Sequence, residues 1–250
     1  MIKSFSQGSG VELLDVHRIR LVESAAPRLS PEERLAGNRV WDEAVRANPS
    51  LFDGPVVVCA GLDLEGPHEL AVSWARTTYR HFVLRRVPGC TSWLPSLFVS
   101  VVQPADDGGL LVGRMSPTTS APGRWQLPGG SVEPPEGDDE LDMAALRAAA
   151  ARELAEETGI DTPPDDLTLW HVTRGENGNI GVLFHAPTRP ASLLRERFEA
   201  LVAMETAQGR DSEFDRITLV RTPADLTALA GPHVDYLEPV VRRYTVRPMG

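Results

Sequence analysis

One nine-residue stretch, RELAEETGI from Arg152 to Ile160, constrains the fold and chemistry of this chain more than any other feature. On a helix, Glu153, Glu156 and Glu157 stand at i, i+3 and i+4, so their carboxylates share one face. Acids at i and i+4 repel by about a few tenths of a kcal/mol, and acids near a helix C-terminus oppose its dipole by roughly 0.3–1 kcal/mol each. A bound cation would offset this cost. Oxygen ligands favour magnesium or manganese over zinc.

The residues around these glutamates predict a helix from about Leu141 to Thr158. Leu146, Ala150 and Leu154 lie on a second face, which can pack inward. Gly159 follows at the position where a left-handed residue commonly terminates a helix. The alternative interpretation of the three glutamates is a solvated acidic face on a surface helix, as is common for an isolated ExxEE string.

Apolar periodicity and turn residues predict the remaining elements. The strands are expected at Val56–Ala60, Glu69–Ala75, Leu97–Gln103, Leu110–Arg114, Leu167–Val172, Ile180–Ala186 and Arg216–Val220. Helices are expected at Ser30–Ala47, Thr77–Arg86, Leu193–Thr206 and His233–Tyr244. Residues Gly61–His68 predict a turn, and Pro104–Gly109 predict a hairpin connection. This order predicts an α+β fold, with helices packed around a mixed sheet.

Composition excludes several classes of function. The net charge is −10 and no basic stripe is visible, so we expect no nucleic-acid partner. No run approaches 18 apolar residues, so we expect no membrane-spanning helix. The polar start of the chain lacks the apolar core of a signal peptide, and Cys59 and Cys90 form no CxxC pair. We therefore expect a cytoplasmic protein without a disulfide framework.

The stretch from Gly130 to Ile160 resembles the Nudix box, whose pattern is G-x5-E-x7-R-E-U-x-E-E-x-G-U, where U is a bulky apolar residue. Arg152–Ile160 match the second half at every fixed position, and Gly130 and Glu136 match the first half. Fifteen residues separate Glu136 from Arg152 where the pattern has seven, an insertion of eight. The first glutamate's role is therefore left open between Glu136 and its neighbours Glu133 and Glu140.

The resemblance implies a Nudix α/β/α sandwich that hydrolyses a phosphoanhydride bond with bound Mg²⁺ or Mn²⁺. Its metal ligands would be Glu153, Glu156, Glu157 and the carbonyl of Gly129. Arg152 would orient a glutamate of this cluster. Many family members recruit a further acid as general base, and Glu213 is the first candidate, ahead of Asp211 and Asp215. Arg114 and Arg174 are candidate phosphate ligands, for which surface arginines are the alternative interpretation.

The first 95 residues carry a second resemblance. Trp41, Asn48–Pro55 and Arg76–Phe82 are similar to an N-terminal extension in UDP-sugar-hydrolysing Nudix proteins, which also have a lengthened loop before the catalytic helix. We therefore predict an α+β extension over residues 1–95 and a Nudix hydrolase domain over residues 96–250. Tyr79 and Phe82 are candidates for stacking on a uracil base, although core packing is the alternative role of each.

Three functions follow as hypotheses. The first is hydrolysis of a UDP-sugar to UMP and sugar 1-phosphate. The second is a Nudix reaction on ADP-ribose, a dinucleotide or a nucleoside triphosphate. The third is a non-catalytic Nudix-like sensor, which the presence of all three helix glutamates disfavours. The partner in each case is a small nucleotide, and a homodimer is compatible with the resemblance.

Overall fold

The computed structural model describes residues 10–137 and 139–246. The strands within this part of the chain are β1 (Glu12–Leu14), β2 (Arg18–Glu23), β3 (Pro55–Gly66), β4 (Glu69–Thr78), β5 (Leu97–Val102), β6 (Leu110–Met115), β7 (Trp125–Gln126), β8 (Thr168–Arg174), β9 (Ile180–His185) and β10 (Phe214–Val220). The α-helices are α1 (Pro31–Ala47), α2 (Met143–Thr158), α3 (Ala191–Ala207), α4 (Pro223–Thr227) and α5 (Leu237–Val246). Two 3-10 helices cover Tyr79–Arg86 and Pro164–Asp166.

The central layer is a four-stranded mixed sheet in the order β1-β8-β9-β5. Strands β5 and β9 run parallel, and the other pairs are antiparallel. Val182 and Phe184 of β9 pack in the core that contains α2, whereas Leu183 packs with Val240 of α5. Successive side chains of a strand point to opposite faces, so helices cover both sides of the sheet. The predicted α+β fold with an α/β/α sandwich is confirmed.

A second sheet, β10-β6-β7, places the residues around β7 next to the central layer. Backbone bonds join the two, because the Val101 amide donates to the Pro128 carbonyl at 2.8 Å and the Val99 amide donates to the Gly130 carbonyl at 3.0 Å. The Gly-Gly segment that follows β7 therefore runs directly beside β5. This neighbourhood brings the segment close to α2, which also packs on β5.

The N-terminal region forms a third sheet, β2-β4-β3, but its core is continuous with that of the central layer. Val57 and Trp74 belong to the same buried cluster as Leu146 and Leu154 of α2. The Val57 amide donates to the Val132 carbonyl at 2.8 Å, and β1 pairs with β8. The sequence-predicted boundary at residue 95 stays a prediction of how the chain is organised.

Helix boundaries predicted from capping residues agree with the structure. The Ser30 hydroxyl accepts from the Glu33 amide at 3.1 Å, and Glu33 accepts from the Ser30 amide at 2.9 Å, which completes the predicted capping box. Helix α2 ends at Thr158, and Gly159 has the left-handed φ of 71°. It begins at Met143 rather than Leu141, because Asp142 caps it by accepting from the Ala145 amide.

The predicted hairpin between residues 97 and 114 is wrong in its pairing. The turn forms, since the Ala105 amide donates to the Gly109 carbonyl at 2.7 Å. The strands then diverge, β5 pairing with β9 and β6 pairing with β10 and β7. Strand β5 pairs with a strand distant in sequence because it is buried between two helical layers, where partners with matching apolar faces are needed.

Other predicted boundaries also change. Strand β3 extends through most of the predicted Gly61–His68 turn, and β4 takes in Thr77 and Thr78 from the start of the predicted Thr77–Arg86 helix. The C-terminal helix begins at Leu237 rather than His233, because the preceding residues pair with Trp125. Strands β1 and β2 were not predicted at all. No helix in the described part of the chain is long and apolar enough to cross a membrane.

Candidate active site

The three glutamates of α2 differ sharply in burial. The side chain of Glu156 is 63% exposed and that of Glu153 is 16% exposed, whereas Glu157 as a residue is only 1% exposed. Their positions on one helix therefore produce one carboxylate at the surface, one at the edge of a cleft and one beneath it. The three carboxylates therefore meet different surroundings, and a ligand in the cleft would reach Glu156 only from the solvent side.

Glu157 is held by the segment that follows β7. Its Oε2 accepts a hydrogen bond from the Gly129 amide at 2.6 Å, while Oε1 is buried with no partner among the described residues. The carbonyl of Gly129, the atom predicted as a metal ligand, accepts a long bond of 3.5 Å from the Gln126 amide group. An orphaned buried carboxylate oxygen is costly unless a ligand or cation satisfies it.

Gly130 sets the distance between this segment and the helix. A Cβ atom at this position would lie 2.6 Å from Oε2 and 2.9 Å from Oε1 of Glu153. Only a residue without a side chain lets the backbone approach the carboxylate so closely. The match of Gly130 to the first fixed position of the predicted box thus has a steric reason here.

Glu213 joins the two inner glutamates from the loop before β10. It lines the same cleft as Glu153. Burial first, and the charge of Glu213 second, raise the pKa of Glu153 to about 7. The same two causes raise the pKa of Glu157 well above its ordinary value, and burial followed by the charge of Glu156 raises that of Glu213. Carboxylates crowded in this way favour either protonation or a bound cation.

The donor set fits a hard divalent cation, because it consists of carboxylates with an unpartnered oxygen of Glu157 at its centre. The glutamate oxygens do not converge as closely as a filled site requires. Within the described residues, the one group of His, Cys, Asp or Glu ligand atoms lying within 4.8 Å of one another is Asp15, His17 and His68.

Arg152 makes loose contacts with its own helix. Its Nη2 lies 3.8 Å from Oε1 of Glu153, and its Nε lies 4.0 Å from Oε2 of Glu156. The charge of Arg152 lowers the pKa of Glu153, against the raising effects of burial and Glu213. Arg152 thus lies near both glutamates without a short hydrogen bond to either, and its orienting role stays a prediction.

The carboxylates of Glu153 and Glu213 line a cleft of about 710 Å³. We call Glu153 and Glu213, with Gly129 and Gly130, its acidic wall. We call Tyr79, Phe82 and Trp93 its aromatic wall. Further residues that line the cleft include Arg85, Leu94, Arg124, Gln126, Asn177, Asn179, His233, Asp235 and Tyr236. A volume of this size is typical of sites for small molecules.

The aromatic wall is built by the N-terminal region. Tyr79 and Phe82 lie on the 3-10 helix Tyr79–Arg86 and meet edge to face, with ring centroids 5.4 Å apart. Trp41 of α1 supports Tyr79 from behind at 6.5 Å. The buried His81 accepts a 2.8 Å hydrogen bond from the Leu94 amide, which ties this helix to the segment carrying Trp93. Both predicted stacking candidates thus line the cleft.

The two predicted phosphate arginines are not among the residues that line the cleft. Arg114 donates from Nε and Nη2 to Asp215 at 2.7 and 2.8 Å, which also occupies that alternative base candidate. Arg174 lies 3.6 Å from Glu12 of β1. Sequence analysis missed Arg85, Arg124 and His233, which do line it. Arg124 adjoins the WQLPGG segment, and this was the available signal.

A family model described as the NUDIX domain matches residues 96–242, more than half of the chain. The chain belongs to the Nudix family. It is accordingly a Nudix pyrophosphohydrolase, the enzyme class that the box predicted. Divalent metals are the general requirement of Nudix enzymes, in keeping with the carboxylate cluster on α2. No curated protein matches the chain.

Solved structures of other Nudix proteins resemble parts of the chain. A MutT protein from Methanosarcina mazei Go1 shares 21% identity, with a TM-score of 0.38, over 60% of this chain and 93% of that one. The E. coli ORF135 protein shares 20% identity, with a TM-score of 0.38, over 62% and 94%. A bifunctional NMN adenylyltransferase/ADP ribose pyrophosphatase from Francisella tularensis, complexed with AMP and a Mn ion, shares 13% identity, with a TM-score of 0.37, over 64% and 43%. These similarities carry no argument about the substrate.

Proposed function

We propose that this Nudix enzyme hydrolyses the diphosphate of a nucleotide sugar, with UDP-glucose or UDP-galactose as the first candidates and UMP and sugar 1-phosphate as products. One observation carries the proposal: the acidic wall and the aromatic wall line a single cleft. The aromatic wall comes from the region whose sequence is similar to the extension of UDP-sugar hydrolases. Residues 1–95 would thus complete a site whose chemistry resides in residues 96–250.

Helix α2 and the Gly-Gly segment would supply the ligands for the metal. Glu153, Glu157 and Glu156 would hold one or more Mg²⁺ or Mn²⁺ ions, together with the Gly129 carbonyl. When bound, such an ion neutralises charge on the phosphoryl oxygens and lowers the pKa of a coordinated water. Arg152 would orient Glu153. The absence of a side chain at Gly130 leaves room for the Glu153 carboxylate beside the backbone.

Glu213 would act as the general base. The oxygen of a water molecule attacks one phosphorus, the bond from that phosphorus to the bridging oxygen breaks, and the other phosphate leaves with the bridging oxygen. The proton of the attacking water passes to Glu213. Burial and the charge of Glu156 raise the pKa of Glu213, and a base whose pKa lies nearer to neutrality accepts a proton more readily.

The aromatic wall would receive the uracil ring or the sugar. A base stacks on an aromatic face with a gain of about 1–3 kcal/mol. Asn177 and Asn179 also line the cleft, and their side chains carry both donors and acceptors for the edge of a base or sugar hydroxyls. Asn179 already accepts from the Ser96 amide at 3.1 Å, which leaves its amide nitrogen available as a donor.

A phosphatase-coupled phosphate-release assay tests this function. UMP and sugar 1-phosphate are phosphatase substrates, whereas an intact UDP-sugar is not, so release reports cleavage of the diphosphate. The panel would be UDP-glucose, UDP-galactose, ADP-ribose, NADH and the nucleoside triphosphates, each incubated with Mg²⁺ and with EDTA. The enzyme would be removed by filtration and excess metal restored before the phosphatase is added. The triphosphates, which phosphatase attacks directly, would instead be followed by separating their products by chromatography. We expect EDTA-sensitive turnover that is highest for the UDP-sugars. Turnover confined to another diphosphate would overturn the assignment of a nucleotide sugar as substrate. If none of these compounds were hydrolysed, the result would favour a non-catalytic sensor.

A further inference from the structure

Two side chains of the cleft carry nitrogen atoms that have no partner. Nε of Arg124 and Nε2 of His233 are both buried and make no hydrogen bond within the described residues. No carboxylate in that part of the chain lies within 4.0 Å of the Arg124 guanidinium. A buried donor without an acceptor costs about 1–3 kcal/mol, and more when it is charged. Such groups persist where a ligand supplies the missing acceptor.

The backbone holds these two residues next to each other. The Trp125 amide donates to the Pro232 carbonyl at 2.9 Å, and the Val234 amide donates to the Trp125 carbonyl at 3.0 Å. The Trp125 indole also donates to the Ala230 carbonyl at 3.0 Å. Three hydrogen bonds thus fix the segment that carries His233 against the one that carries Arg124. This rigidity favours binding, because little order has to be gained when a ligand arrives.

Arg114 and Arg124 can be compared directly because they lie at the same pairing of β6 with β7. Arg114 is opposite Trp125, and Arg124 immediately precedes Trp125. Asp215 neutralises Arg114 with two hydrogen bonds, and Arg114 does not line the cleft. Arg124 lines the cleft and has no such carboxylate. An arginine presents Nε and Nη in a fork that matches two oxygens of a phosphate. The chemistry of Arg124 therefore points to an anion, and its position points to the substrate.

We propose that Arg124 and His233 bind the phosphate group that the glutamates and their metal do not hold. This inference rests on the proposed function, and it assigns the second phosphate of the diphosphate to a site made by protein alone. The Arg124 guanidinium contacts two phosphate oxygens after a small rotation that exposes Nε. His233 donates from Nε2 to one of them. Cleavage would then leave one of the two phosphate groups on these two side chains.

Calorimetric titration with methylenediphosphonate, a diphosphate that cannot be hydrolysed, tests the site in the presence of Mg²⁺. We expect Arg124→Gln to weaken binding at least tenfold and His233→Ala to weaken it about threefold. Arg124→Lys should fall between wild type and Arg124→Gln, because it keeps the charge and loses the fork. Arg114→Gln is the matched control and should bind like wild type. Mg²⁺ titration and thermal unfolding verify that each variant is folded.

The probe contains no nucleoside or sugar, so this result is independent of which nucleotide the enzyme hydrolyses. Failure of UDP-sugars in the turnover assay, together with weakened binding by Arg124→Gln, would overturn the substrate and leave the phosphate site standing. Equal affinity of wild type and Arg124→Gln would overturn the phosphate site. Saturable binding that is lost equally in Arg114→Gln, or no saturable binding by wild type, would overturn it as well.

Discussion

The acidic wall of the cleft comes from one helix, one loop and a Gly-Gly segment, whereas the aromatic wall is gathered from parts of the N-terminal region that depend on one another. Behind the acidic wall, spacing within nine residues places the three glutamates of α2, and Glu213 joins them from a distant loop. On the aromatic wall, Tyr79 depends on Trp41, and Trp93 depends on a hydrogen bond from Leu94 to His81. In the proposed function, the first wall carries the metal-dependent chemistry and the second determines the choice of substrate.

The largest effect should come from Glu157, which is buried beside the acidic wall. Glu157→Gln keeps an acceptor for the Gly129 amide but removes the charge, so the fold should persist while turnover falls. Loss of one group that stabilises charge in a transition state typically costs roughly 10²–10³ in kcat. Steady-state kinetics with saturating Mg²⁺ would measure it. Glu199→Gln, an exposed glutamate on α3, is the control and should turn over like wild type. Unchanged kcat in Glu157→Gln would refute the ligand assignment.

Substitutions in the aromatic wall should change KM rather than kcat. Tyr79→Ala or Phe82→Ala should raise KM for a UDP-sugar by about tenfold, in line with a stacking energy of about 1–3 kcal/mol, and leave kcat close to wild type. Tyr79→Phe keeps the ring and should keep KM. Full substrate saturation curves for the three variants would separate the two parameters. A drop in kcat at constant KM would show that the wall positions the reacting groups instead.

The pH dependence of stability should also differ between Glu153 of the acidic wall and Glu33 of the N-terminal region. The pKa of Glu153 is about 7, above its ordinary 4.5, so the folded protein holds more protons than the unfolded chain between these values. Stability of the EDTA-treated protein should therefore fall as pH rises from about 4.5 to 7. Glu153→Gln should flatten this slope, which thermal unfolding across the pH range would detect. Added Mg²⁺ should restore stability near neutral pH.

Glu33 of α1 should have the opposite effect on how stability changes with pH. Hydrogen bonds from the Ser30 amide, the Cys90 thiol and the Ser92 hydroxyl lower its pKa to about 2. Its contribution is present above its ordinary value of 4.5 and is lost as pH falls toward 2. Glu33→Gln should lower the unfolding midpoint at neutral pH and narrow the difference from wild type in acid. A difference in unfolding midpoint between wild type and Glu33→Gln that stays the same at every pH would contradict this role of Glu33.

The smallest effect is expected at the insertion that lengthens the box. Arg76 of β4 donates to the carbonyls of Pro135 and Asp139, and its Nε donates to Glu23 at 2.8 Å. Arg76→Gln should leave Mg²⁺-dependent turnover within about twofold of wild type, while limited proteolysis cuts the loop faster. Arg20→Gln, on the same sheet but paired with Glu65, is the control. A tenfold loss of turnover in Arg76→Gln would place the loop in the active site.

The sequence allowed prediction wherever a feature depends on neighbours within a few residues. Helix α2, its cap at Gly159 and the capping box at Ser30 are of this kind. The pairing of β5 with β9 and the existence of β1 depend on partners about 80 to 160 residues away, which periodicity does not encode. Arg124 and Arg114 look alike in the sequence. The structure tells them apart, because Arg114 is paired with Asp215 and only Arg124 of the two lines the cleft.

Strand β1 is three residues long, yet it covers an edge of the central sheet that would otherwise be open. Glu12 and Leu14 pair with Arg174 and Val172 of β8, and Glu12 adds an ion pair with Arg174. An uncovered edge presents free amide and carbonyl groups to other chains and promotes aggregation. A fragment beginning at residue 96 would keep every box residue but lose this cover. Its solubility would fail before its chemistry did, so trimming to the catalytic region alone would hide an active enzyme.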